Sequence, residues 1–325
     1  MKKFSKIIGI ALLTLTIFSC SDDDNNTPAQ QTIASIAASN PELSTLVTAL
    51  NITGLTATLN GTGQYTVFAP TNAAFNTYLT ANGFANINAV PVPTLKAILL
   101  NHVIGSEIKS TAIPAATYVS TLSPINATPT SPTISMFVQK AGTNVTLNGG
   151  IDSKGAVVTT ADVDASNGVI HIVNRVIQIP TLVDHVIDNP EFDTLQTIVT
   201  STDQAAVLAA LSGLTATAPA TLFAPNNAAF TAALGTGGFA NGATPAQVTK
   251  VLQYHVTLGN VRSSQLTNNQ VVPKYTDPVQ NVTVILGVLT VDIRDTQNIL
   301  SRVFQADIQA SNGVIHGVNK VLRPF

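Results

Sequence analysis

The sequence predicts an α+β chain made of two tandem copies of one domain. Three observations carry that prediction. Five sequence blocks recur in the same order at nearly constant spacing. In each copy helical periodicity comes first and strand patterning afterwards, the order of an α+β domain. The chain has 325 residues, which at about 150 residues per domain is room for two.

The repeat is explicit. Asn40-Pro41-Glu42-Leu43 returns as Asn189-Pro190-Glu191-Phe192, 149 residues on. Gly54-Leu55-Thr56-Ala57-Thr58 returns at Gly213–Thr217, 159 residues on. TVFAPTNAAF at 66–75 returns as TLFAPNNAAF at 221–230, an offset of 155. Asn101-His102-Val103 becomes Tyr254-His255-Val256 at 153, and ASNGVIHIVNRVI at 165–177 becomes ASNGVIHGVNKVL at 145. Offsets that drift by a few residues describe loop changes in a duplicated domain, not a short-period solenoid. The predicted boundaries are 32–180 for the first copy and 181–325 for the second, divided at Pro180.

The elements follow in order. Ile33, Ile36, Leu43, Leu46, Val47 and Leu50 have helical spacing, interrupted by Asn40-Pro41, where Ser39 or Asn40 caps a second helix with Pro41 at its first position. Leu195, Ile198 and Val199 repeat it. Tyr65–Phe68 and Thr221–Phe223 are short strands ended by Pro70 and Pro225. Helices restart at Asn72–Leu79 and Asn227–Leu234, with Thr71 and Asn226 as caps. Pro93–Val103 is a helix with Leu95, Ile98, Leu99 and His102 on one face, and Val248, Val251, Leu252 and His255 repeat that face. Val145–Leu147 and Val157–Thr160 alternate as strands. Asn167-Gly168 and Asn312-Gly313 are hairpin turns in which both residues adopt positive φ. Val169–Ile177, apolar at nearly every position, reads as a central strand.

Composition narrows the function. Charged residues are 10%, against roughly 25% in an ordinary soluble domain. Apolar residues are 45%, enough for cores, so a charge-driven disordered chain and a basic nucleic-acid binder are both excluded. Lys+Arg is 15 against Asp+Glu 17, and beyond residue 19 the balance is 12 against 17. The single Cys, Cys20, excludes an internal disulfide framework and a cysteine zinc site.

Residues 1–19 read as an export signal. Lys2, Lys3 and Lys6 precede the apolar run Ile7–Ile17, whose 11 residues fall short of the roughly 20 that span a bilayer. Ile17-Phe18-Ser19-Cys20 resembles a bacterial lipobox, with Phe18 departing from its commonest form. Cys20 is then the lipid attachment site of an outer-membrane or cell-surface protein. Residues 20–31 form an acidic, polar tether. Its Ser21-Asp22-Asp23-Asp24 is a solvated spacer or, by resemblance, the surface-export signal of Bacteroidota lipoproteins.

The repeated blocks also resemble a family. Thr66-Val67-Phe68-Ala69-Pro70-Thr71-Asn72-Ala73-Ala74-Phe75 is similar to the first box of fasciclin (FAS1) domains, and Asn167-Gly168-Val169-Ile170-His171 through Ile177 to the second. Tyr254-His255 resembles the tyrosine–histidine motif between the boxes, where copy one has Asn101-His102. The resemblance covers about 32–325 and implies two tandem fasciclin-like β-wedge domains with flanking helices, in adhesion or matrix contact, without catalysis and without a cofactor. Physically, each box reads as fold-making: small alanines allow close helix–sheet approach, and Phe75 and Phe230 plug the core.

His102 and His255 on apolar helix faces, and His171 and His316 in buried strands, read as satisfied core histidines and, with Tyr254, as structural or interaction candidates. A metal pair joining His102 to His171 and His255 to His316 lacks support, since two ligands are few and no acid is expected beside both pairs. His185 has no counterpart in copy one. Asp162–Gly168 departs from a calcium loop, with Asn167 and Val173 at the Gly and Glu positions. Gly235–Ala240 has dinucleotide-like spacing but follows a helix. No activated serine motif is present. Asp193-Thr194-Leu195 resembles the O-glycosylation sequon of Bacteroidota and equally an ordinary helix turn.

The expectation is a lipid-anchored binding protein whose partners are extracellular protein, matrix or glycan, with the membrane engaged through Cys20 and no nucleic acid. Contact is expected through polar loops rich in Thr and Asn. The alternative is a ligand- or nutrient-capture lipoprotein, which an apolar pocket with converging polar groups would favour. A hydrolase is the further alternative. Loss of the Tyr at Asn101 predicts inequality, with the second copy dominant.

Overall fold

Thr32 opens the first helix of copy one, accepting a hydrogen bond from the Ser35 amide at 3.3 Å. The structure, a computed structural model, describes residues 30–128, 130–234, 242–276 and 278–324. The export signal, Cys20, most of the tether and the Gly235–Ala240 motif lie outside the described residues.

The helices of copy one are α1 (Ile33–Ser39), α2 (Ser44–Thr53), α3 (Thr56–Asn60), α4 (Asn72–Ala81) and α5 (Val92–Asn101). Its strands are β1 (Tyr65–Pro70), β2 (Val103–Ile104), β3 (Ala116–Pro124), β4 (Thr133–Ala141), β5 (Asn144–Leu147), β6 (Ala156–Ala165) and β7 (Gly168–Val173). Copy two has helices α6 (Leu182–Asp188), α7 (Asp193–Val199), α8 (Ala205–Ser212), α9 (Asn227–Leu234) and α10 (Pro245–Tyr254). Its strands are β8 (Ala220–Pro225), β9 (Val256–Leu258), β10 (Val271–Pro273), β11 (Asn281–Leu286), β12 (Val291–Arg294), β13 (Leu300–Ala310) and β14 (Gly313–Val318).

The first copy closes β1 through β7 into a barrel, and the second is a seven-stranded sheet in the order β10-β11-β12-β13-β14-β8-β9. In both, the two box strands run parallel and in the same register: Phe68 faces His171 and Phe223 faces His316. Each copy has two apolar cores. One lies between helices and sheet, around Phe75 and Leu95 in copy one and Phe192 and Phe230 in copy two. The other lies inside the strands, around Phe68 and Met136, and around Phe223 and Tyr254.

The box asparagines tie these layers together. Asn72 accepts the Thr45 amide at 2.8 Å and donates to the Pro41 carbonyl at 2.9 Å. Asn227 repeats this with Thr194 and Pro190. Asn167 accepts the Ile33 amide and donates to the carbonyls of Leu59 and Gly61, all at 2.8–2.9 Å. Asn312 takes the Leu182 amide in the same way. Thr71 and Asn226 cap α4 and α9 as the spacing predicts.

Four local expectations change. The Asn40 cap falls on a short 3-10 turn, Pro41–Leu43, ahead of α2. The helix predicted to reach Val103 ends at Asn101, because His102 leaves helical geometry as the C-cap and Val103 pairs with Val67. The central strand predicted to Ile177 ends at Val173. In the hairpins, Ala165 pairs with Gly168, so Ser166 and Asn167 form the turn and only the glycine has positive φ, at 136°. Glycine is needed there for approach: a Cβ on Gly168 would stand 1.9 Å from the Tyr65 carbonyl oxygen, and one on Gly313 2.0 Å from that of Ala220.

The two copies share a buried seam. The Ser135 hydroxyl accepts the Gln309 amide at 2.9 Å, with both residues buried. Tyr118 of β3 packs into the helical core of copy two, its ring edge-on to His185 at 5.4 Å, and its hydroxyl accepts from Asn189 at 3.3 Å. Ser153 donates to Asp188, and Lys154 pairs with Asp184 at 3.0 Å.

Candidate functional site

The four paired histidines do two different jobs. His102 and His255 cap helices from inside the core. The His102 Nδ1–H donates to the Ile98 carbonyl at 2.8 Å, and its Nε2 accepts the Ile177 amide at 2.9 Å. This pattern assigns a neutral imidazole with the proton on Nδ1. Burial pushes both imidazoles down to about 4.

His171 and His316 instead belong to a clamp on the connector that follows β2 or β9. The His171 Nε2–H donates to the Ile108 carbonyl at 3.0 Å, and its Nδ1 accepts the Asp162 amide at 3.2 Å. Asp162 in turn accepts from the Ser110 amide at 2.7 Å and from the Ser110 hydroxyl. Thr66 completes the clamp, accepting the Ile108 amide at 2.8 Å and donating to the Ser106 carbonyl at 2.7 Å. Copy two repeats every part with Thr221, Val261, Ser263, Asp307 and His316. Burial lowers the titration of both histidines; burial acts to raise that of Asp162, but the Ser110 hydrogen bonds together with the charges of His171 and Lys109 lower it on balance.

An acid therefore does recur beside a histidine in both copies, contrary to the expectation. Asp162 and Asp307 each precede the box histidine by nine residues and sit in a break of strand register, at φ 59° and 60°. The break turns the aspartate amide onto the histidine ring, and Asp tolerates that left-handed geometry better than most side chains. Thr66, Ser110 and their counterparts also escaped the sequence reading. Thr66 lies within the first box, and outside the boxes Ser110 and Asp162 recur as Ser263 and Asp307, the one local trace of the clamp.

This constellation holds a loop rather than activating a group. Each serine hydroxyl donates to aspartate, not to histidine, so it lacks the order of a nucleophile–base pair. Both ring nitrogens of His102, His171, His255 and His316 are spent on the chain itself. Among the described residues no three His, Cys, Asp or Glu side chains converge to hold a metal. Asp164, in the calcium-like stretch, pairs with Lys109 at 2.8 Å.

The Tyr254 hydroxyl donates to the Asn281 carbonyl at 2.9 Å and accepts the Thr296 amide at 3.2 Å, with the residue fully buried. Asn101, also buried, turns its amide to the carbonyls of Ile177 and Gln178 and leaves Oδ1 without a partner. The surfaces differ more. Copy one exposes Val92 and Ile151, whereas copy two exposes Leu258, Val271, Tyr275 and Val279, and Val288 and Leu289 at the β11–β12 tip, 99% and 95% exposed. The corresponding β4–β5 tip of copy one is Gly142-Thr143. A surface of polar loops alone was expected, and the second copy departs from it.

The fasciclin domain model matches residues 41–180 and 190–324. The chain belongs to the fasciclin domain family. Over 155 residues the chain is 35% identical to protein sll1483 of Synechocystis, spanning 47% of this chain and 77% of that protein. The cell surface glycolipoprotein MPB83 of Mycobacterium bovis is 41% identical over 90 residues, 26% of this chain and 40% of its own length. A FAS1 domain pair from the insect cell adhesion molecule fasciclin I aligns at a TM-score of 0.49 and 17% identity, covering 86% of this chain and 92% of that one. Fasciclin domains are generally adhesion or binding modules. Among the described residues no helix is long and apolar enough to cross a membrane.

Proposed function

We propose that this protein is a lipid-anchored adhesion protein of the outer membrane or cell surface, whose fasciclin domain 2 (181–325) makes the main contact with an extracellular protein, matrix or glycan partner, while domain 1 (32–180) supports it. The observation that carries the reading is the exposed apolar pair Val288 and Leu289 at the β11–β12 tip of domain 2. Adjacent large apolar side chains left in water mark an interaction surface. The paired clamps present both connectors in fixed positions, and the buried seam through Tyr118 and Gln309 lets the domains act as one body. The Ile17–Cys20 lipobox supports the anchor, and a cell-surface glycolipoprotein among the relatives agrees with it. The histidines and Tyr254 serve as scaffold in this reading.

The test is adhesion of the full chain to arrays of matrix proteins and glycans. Val288→Ser with Leu289→Ser should lower adhesion at least fivefold with the thermal midpoint unchanged. Unaltered adhesion by that variant rejects the surface. Cys20→Ala should release the chain from membrane fractions, and retention there rejects the anchor.

A further inference from the structure

Inside the barrel of domain 1, against the ring of Phe68, lies a cavity of about 300 Å³, at the lower end of the range of small-molecule pockets. Its origin is topological. β2 is two residues long and meets β3 only where Ile104 faces Thr121, so the first half of β3 has no strand on that side. The connector 105–115 supplies the missing wall. Ile104, Ile113, Val119 and Val138 give the cavity its apolar lining, and Glu107 and Thr117 are the polar residues of that lining. The wall is fixed in advance, because Thr66, Asp162 and His171 pin the connector by its own backbone.

Domain 2 shows what this space accepts. The offset of 153 that relates His102 to His255 places Lys274 where domain 1 has Thr121. Lys274 is buried, and its Nζ lies 3.7 Å from the centroid of Phe223, the counterpart of Phe68. An aminoalkyl chain thus covers the aromatic face that domain 1 leaves open. Domain 1 adds a charge that domain 2 lacks: Glu107 replaces Asn260 at the mouth. Glu107 is exposed, and the cations near it have partners of their own, Lys109 of the connector with Asp164 and Lys140 of β4 with the Ser110 carbonyl.

We propose that the domain 1 cavity binds small primary alkylamines, with the alkyl body on Phe68 and the ammonium toward Glu107. The site is independent of the adhesive surface on domain 2.

The experiment titrates the full chain with n-hexylamine, n-hexanol and hexanoate at neutral pH, by calorimetry and ligand-observed NMR. Hexylamine should bind most tightly, hexanol about two- to fivefold more weakly, as an exposed charge pair allows, and hexanoate more weakly still. Glu107→Gln should bring amine and alcohol within twofold of each other. Val138→Phe fills the cavity and should lower amine binding at least tenfold. Ala112→Trp, placed at the exposed rim, should do the same and keeps the test decisive if the core variant fails to fold. Val284→Phe, the matching change in domain 2, should leave binding unaltered. Absence of hexylamine binding to the wild-type chain, hexanoate binding as tightly as the amine, or Ala112→Trp binding like wild type overturns the site.

Discussion

The Nε2 of His255 accepts the Leu322 amide at 2.9 Å while its Nδ1–H donates to the Val251 carbonyl at 2.7 Å. One imidazole thereby joins the end of α10 to the chain that leaves the last strand. His255→Leu strands a buried amide, and a buried polar group without a partner costs about 1–3 kcal/mol. We expect a loss of that order in urea unfolding, and the same for His102→Leu. A change below about 0.5 kcal/mol in both would contradict the capping role.

Stability should fall as the solution is acidified from neutral. His102, His185 and His255 titrate near 6.5 when unfolded and near 4 when folded, through burial. The unfolded chain takes up these protons first, so their stabilisation is complete above pH 6.5 and is lost as pH falls toward 4. Asp188 opposes them. Burial raises it to about 6 from 3.8, so between those values the folded state takes the proton first. Urea midpoints from pH 7.5 to 4.5 should therefore decline, and Asp188→Asn should make the decline steeper. A flat profile would refute the assignment of neutral buried histidines.

Asn167 separates hydrogen bonding from size. Asn167→Asp keeps an acceptor for the Ile33 amide but has no donor for the carbonyls of Leu59 and Gly61. Both Asn167→Asp and Asn167→Ala should destabilise domain 1 by roughly 2–4 kcal/mol. Hydrogen exchange should rise first at α1 and α3. Exchange confined to the β6–β7 turn would show that the side chain serves the hairpin alone.

The seam can be opened from one side. Tyr118→Ala removes the ring that packs on His185 and the acceptor for Asn189. Small-angle scattering should show a larger radius of gyration and hydrogen exchange should quicken along α6. Scattering identical to wild type would mean that Ser135, Gln309 and the Lys154–Asp184 pair hold the joint without it.

Much of this was legible in the sequence because the chain carries its own control. Asn72 and Asn227, or Asn167 and Asn312, repeat with their neighbours, so duplication and the strand–cap–helix corner could be read directly. The clamp was not legible, because Thr66, Ser110 and Asp162 are far apart in sequence and ordinary in type, and only the register break that sets Asp162 at φ 59° joins them to His171. The Asn-Gly turn misled for a related reason: Ser166 and Asn167 make the turn, and the glycine that follows is required both by its φ of 136° and by close approach to the Tyr65 carbonyl. Periodicity also extended α5 too far, since it sees the apolar Val103 but not its pairing with Val67. The exposure of Val288 and Leu289 depends on tertiary packing that no local pattern encodes.

The clamps have a consequence for divergence. Thr66, Asp162 and His171 grip the first connector by backbone groups, so its other side chains are relieved of any part in holding the barrel shut. The two connectors have drifted accordingly, with Glu107 against Asn260 and Lys109 against Arg262, while the grips stayed matched. Each domain is in effect a vise whose jaws are inherited and whose workpiece is free to be exchanged.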